Sequence, residues 1–191
     1  MPKRCSIWAV TDSDRKPKPL DRDALLQYAL KSLAGRAQSM GELRERLRRR
    51  AADPSDIHYI LSQLKDHGYL DDRRFAESVA ASRLNNDKFG RTRVIQDLRQ
   101  RRVPPVVAEG TVREVYQGVD EIVLIEDWIR RKYRFASRDD LFRDDKELAS
   151  AYRRLLRAGF RTGEIIRVLK RFARNPDLLD DFDPPEEPDA M

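Results

Sequence analysis

The stretch Gly68–Val103, GYLDDRRFAESVAASRLNNDKFGRTRVIQDLRQRRV, decides how the chain folds. Gly68 stops one helix, and the apolar pair Tyr69-Leu70 leads into Asp71 and Asp72. Either aspartate can cap a new helix by accepting a backbone N–H. Phe75, Ala76, Val79, Ala80 and Leu84 fall on one face at helical spacing. Asn85, Asn86 and Asp87 end that helix, and Phe89-Gly90 turns the chain into a second, with Gly90 permitting the turn. Val94, Ile95 and Leu98 form the buried face of this second helix, and its outside is basic.

The flanks repeat the plan. Before the stretch, helices are expected over about 21–37, 39–51 and 53–67. Ser39 with Glu42 forms a capping-box pattern, and Asp53-Pro54 is a helix start. After it come helices over about 105–117, 120–134, 144–158 and 162–173. No alternation of period two survives, so the predicted class is all-α.

The repeat shows in residue offsets. Shifting by 108 lays Met40, Leu47, Ile57, Ile60, Leu61 and Leu64 on Leu148, Leu155, Ile165, Val168, Leu169 and Phe172. Shifting by 51 lays Leu43, Leu47, Leu61 and Leu64 on Val94, Leu98, Val112 and Val115. The chain therefore reads as an elongated tandem array of three three-helix, helix-turn-helix-like units of about 50 residues, spanning 21–70, 71–118 and 119–173. Each unit is small, so part of its stability should come from its neighbours. Residues 1–20 are expected to be a mostly flexible arm, and 174–191 an acidic disordered tail.

Charge bears on partners. The 191 residues carry a formal charge of +6, with 38% charged residues and a pI of about 9.6. Residues 174–191 hold one basic and seven acidic side chains, which leaves +12 on residues 1–173. Such a body suits a polyanion, and the tail could fold back on it as a mimic. The lone Cys5 allows no internal disulfide, and no run approaches the length of a membrane span. A cytoplasmic location, no membrane association and a monomeric chain are the expectations.

Catalytic grammar is missing. The two histidines, His58 and His67, have no metal-ligand spacing. The adjacent acid pairs Asp71-Asp72 and Asp144-Asp145 suit helix N-termini. No phosphate loop or nucleophile elbow occurs. No enzymatic activity, cofactor or metal is expected. What remains is basic helix surface: Arg44 and Arg48 in the first unit, Arg83, Arg91, Arg93, Arg99 and Arg102 in the second, and Arg153, Arg157, Arg167, Lys170 and Arg171 in the third. Units stacked in register would align these cations for phosphates. A solvated charged face is the plainer reading of any single arginine.

The combination Gly68-Tyr69-Leu70-Asp71-Asp72, Arg74-Phe75-Ala76, Ala81-Ser82-Arg83, Gly90, Ile95 and Leu98 resembles the signature of the RecX family of recombination regulators. The likeness extends over roughly residues 22–173. It implies a protein of homologous recombination, DNA repair and the SOS response. Such a protein binds the RecA recombinase filament on single- or double-stranded DNA without sequence preference, in the filament's groove, and inhibits strand exchange and ATP hydrolysis. Members often carry Lys/Arg-Gly before the second helix of the middle unit, where this chain has Phe89-Gly90. Two other readings stay open. One is a free-standing helix-turn-helix DNA-binding regulator, with Gln96 and Gln100 available to read base edges. The other is an interaction scaffold whose basic faces only confer solubility.

Overall fold

The computed structural model describes residues 18–133, 142, 145–173 and 179. Its α-helices are α1 (Arg22–Gly35), α2 (Met40–Arg48), α3 (Ser55–Asp66), α4 (Asp72–Ser82), α5 (Arg91–Gln100), α6 (Pro105–Val115), α7 (Glu121–Tyr133), α8 (Asp145–Arg157) and α9 (Thr162–Leu169). A π-helical turn, Arg83–Asp87, extends α4. Among the described residues there is no strand, only two isolated parallel bridges, Leu20 with Ala51 and Phe142 with Ala173. The fold is all-α and built of three-helix repeats.

The caps explain where the helices begin. Asp21 accepts from Ala24 N at 2.9 Å. Ser39 and Glu42 complete the capping box. The two aspartates of the central stretch divide their work. Asp71 caps α4 by accepting from Arg73 N and Arg74 N at 2.9 and 3.0 Å. Asp72 instead accepts from Met40 N at 2.7 Å, tying α4 to the start of α2.

Two apolar clusters hold the described residues together. Leu25, Ala29, Leu43, Leu47, Ile57, Ile60, Leu61, Leu64 and Leu70 close the first unit on itself. The second cluster is shared by α4–α9, from Phe75 and Val94 to Ile165 and Leu169. Burying apolar area at roughly 25 cal/mol per Å² favours this merger, because each small unit gains what it cannot bury alone.

Two expectations need correction. Leu179 lies in the stretch expected to be a disordered tail, yet it is 0% exposed and belongs to the second cluster. Burial of its apolar side chain is the favourable term that holds Leu179 there. The rest of 174–191 and the arm through residue 17 lie outside the described residues. Gly90 does not supply the turn before α5, since its φ is −74°. The left-handed residue there is Lys88, with φ 56°. Gly90 is small because the Gly159 backbone lies against it.

Candidate nucleic-acid interface

The second helices of the units, α2, α5 and α8, meet end to end. At the first joint, Ser39 Oγ donates a short hydrogen bond to the carbonyl of Arg101, the residue that caps the C-terminus of α5. A Cβ on Gly41 would lie 2.4 Å from the Arg102 carbonyl oxygen, so the backbones touch there. At the second joint, Gly90 N donates to the Ala158 carbonyl at 2.8 Å, just beyond α8. A Cβ on Gly90 would lie 2.1 Å from the Gly159 carbonyl oxygen. The joints correspond: Ser39 and Gly90 sit immediately before α2 and α5, while Arg101 and Ala158 sit immediately after α5 and α8. In each, a helix's orphan carbonyl finds a donor at the N-terminus of its neighbour, and the dipoles run head to tail. The left-handed residues Arg102 (φ 59°) and Gly159 (φ 86°) close the two C-termini.

This arrangement sorts the twelve cations singled out from sequence. Arg83, Arg91 and Arg93 are half-buried and committed to the fold. Arg83 bonds Asp87 at 2.8 Å and lies 3.2 Å from Asp97, and Arg93 lies 3.2 Å from the same Asp97. Both guanidinium groups cover the Phe89 ring. Asp87, with Asp97 at its side, holds the Arg83 guanidinium above its ordinary pKa. Arg91 donates to the Tyr116 carbonyl at 3.1 Å. Tyr116 itself is buried and donates its hydroxyl to the Phe89 carbonyl at 2.7 Å. Burial pushes this phenol well above its ordinary pKa.

Other cations are exposed but paired: Arg48 with Glu45, Arg99 with Glu109, Arg167 with Glu164 and Arg171 with Glu126. Arg44, Arg102, Arg153 and Arg157 are exposed and have no carboxylate partner among the described residues. Lys170 is exposed on the turn after α9 and has an interaction of its own. The end-to-end run thus carries, on α2, just beyond α5 and on α8, an arginine without a carboxylate partner among the described residues.

Sequence reading missed Asp97, which is 7% exposed. Its spacing of four from Arg93 is visible in sequence, but its burial depends on the π-helical turn that brings Arg83 over it. Among the described residues, no group of three or more His, Cys, Asp or Glu is placed to hold a metal ion, and no helix is long and apolar enough to cross a membrane.

Fold and surface together define an all-helical tandem-repeat protein that presents cations along adjoining helices. Residues 71–111 match the family model described as "RecX, second three-helix domain". The chain is 33% identical over 143 residues to "Regulatory protein RecX" of Halorhodospira halophila, covering 75% of this chain and 84% of that protein. It is 31% identical over 166 residues to the Deinococcus radiodurans protein of the same name, covering 83% and 76%. The crystal structure of RecX from Lactobacillus salivarius aligns with a TM-score of 0.61 at 19% identity, over 79% of this chain and 96% of that one. The chain belongs to the RecX family of regulatory proteins.

Proposed function

We propose that this chain regulates the RecA recombinase without chemistry of its own. It binds the RecA–DNA filament along its groove and inhibits strand exchange and ATP hydrolysis. The units of this binder span 21–70, 71–118 and 119–173. One observation carries the reading: α2, α5 and α8 abut end to end, and on or just beyond them stand arginines with no carboxylate partner among the described residues. A paired arginine must break its ion pair before it can hold a phosphate, whereas Arg44, Arg102, Arg153 and Arg157 need not. The paired cations Arg48, Arg99, Arg167 and Arg171 and the exposed Lys170 form the margin of the same surface. Arg83, Arg91 and Arg93 set the shape of α5 and contribute positive potential behind it.

The test is a titration of this protein into RecA hydrolysing ATP on single-stranded DNA, with strand exchange read in parallel. The expected result is a saturable fall in both rates. No change in either across a wide titration overturns the proposal.

Exposed Gln96 and Gln100 on α5 favour a second reading, a free-standing DNA-binding regulator. Selection from random duplexes at physiological salt would then return one strong motif. The filament reading expects none.

A further inference from the structure

The motif Gly68–Asp72 has one residue that neither the fold nor the basic run uses. Leu70 is buried in the first cluster, but its neighbour Tyr69 is 62% exposed. Tyr69 stands at a cleft of about 580 Å³ between α1 and α4, where the two apolar clusters fail to merge. The floor is Leu30 and Leu33 from α1 with Phe75 and Val79 from α4, and Arg74 and Arg101 also line it.

Neither arginine has a carboxylate partner among the described residues. Arg101 lies over the Phe75 ring at 5.7 Å. Asp71, the acid in the cleft, is occupied capping α4. The wall also contains Gln38. Its amide nitrogen donates to the Ser32 carbonyl at 2.8 Å, while its Oε1 has no hydrogen-bond partner.

We propose that this cleft docks an acidic protein segment that carries a bulky apolar side chain. The apolar group fills the aliphatic floor, and flanking carboxylates meet Arg74 and Arg101. An exposed tyrosine beside arginines and an apolar pocket is the composition that concentrates binding energy at protein interfaces. The chemistry favours a protein over a nucleic acid. Leu30, Leu33 and Val79 offer no stacking face, and the Phe75 ring is already covered by Arg101, so a base would find only Tyr69. The inference rests on the filament reading, which makes the segment part of the recombinase.

The experiment uses the full chain with a photo-crosslinking benzophenone amino acid at the exposed Ser78 position, which lines the cleft. It is mixed with RecA filaments on single-stranded DNA. A covalent adduct to RecA is expected, and an adduct to DNA overturns the proposal. In parallel, the exposed Ala34 is changed to Trp to fill the cleft without removing any side chain from either core. Ala34→Trp should weaken filament binding roughly tenfold, the effect of losing a central anchor, and leave binding to naked DNA within about twofold, the scatter expected at a site off the phosphate path. Arg74→Gln should act in the same direction. Wild-type binding that neither variant moves overturns the cleft alone. A wild-type chain that does not bind filaments overturns the regulator reading and its proposed partner together.

Discussion

Gly90 and Gly159 face each other with their backbones in contact: any Cβ on Gly90 would lie 2.1 Å from the Gly159 carbonyl oxygen. Gly90→Ala should therefore destabilise the protein by about 2 kcal/mol, the usual scale for overpacking a tight contact. For a chain of this size that lowers Tm by roughly 4–8 °C. Gly110 lies inside α6 with nothing within 4 Å of its Cβ position, so Gly110→Ala should raise stability by about 0.5–1 kcal/mol. Thermal melts of the two variants check the contrast, and equal effects would reject the joint as described.

Asp97 is the buried carboxylate between Arg83 and Arg93. Asp97→Ala leaves two partly exposed guanidinium groups facing each other. The cost should be about 2 kcal/mol, less than for a fully buried pair because water reaches both arginines. Denaturant unfolding measures it, and a cost within experimental error would show that the cluster does not stabilise the fold.

Tyr116 gives the protein an alkaline liability. Its raised pKa means that the native state keeps the phenolic proton more tightly than the unfolded chain does. Its contribution is complete below the unfolded tyrosine value of about 10 and is lost as pH rises above it. Tyr116→Phe should cost about 1 kcal/mol at pH 7 through the lost bond to Phe89 O. It should also flatten the loss of stability above about pH 10. Urea midpoints against pH test both, and an unchanged alkaline slope would count against the assignment.

Arg102 separates stability from binding. It holds φ 59°, where glycine is at ease, and its counterpart at the other joint is glycine. Arg102→Gly should stabilise the chain by about 0.5–1 kcal/mol. It should also reduce the salt dependence of DNA binding by about one charge. A melt and a salt titration give the two readings, and loss of both stability and binding would mean that Arg102 is structural.

Arg153 and Arg157 on α8 have no carboxylate partner among the described residues, whereas Arg130 on α7 bonds both Asp127 and Glu126. Replacing Arg153 and Arg157 together by Ala should flatten the slope of log affinity against log salt by about two charges. Arg130→Ala should change it little. The reverse order would remove α8 from the binding surface.

The helices were legible because apolar residues at helical spacing are a local signal. Leu25 with Ala29, and Val94 with Leu98, declare their faces without help from the rest of the chain. Asp71 and Ser39 likewise act over three residues. What sequence reading lost depended on distant partners. Gly90 looked like a turn residue, but its reason to be small is a carbonyl of the third unit. Arg83, Arg91 and Arg93 looked like free cations, but Asp97 and Tyr116 engage them only after α4, α5 and α6 have packed. Leu179 looked like part of a charged tail because its neighbours in sequence are acidic and its neighbours in space are not.

The separate closure of the first cluster bears on how the chain is made. Leu25 through Leu70 find their cluster partners within one continuous stretch of sequence, so α1–α3 can settle before the residues that follow are synthesised. The other cluster includes both Phe75 and Leu179, so its last described member is added more than a hundred residues after its first. The cleft beside Tyr69 marks the seam between an early-settling part and a late one. At that seam a growing chain exposes the wall of α1 before α4 arrives to face it.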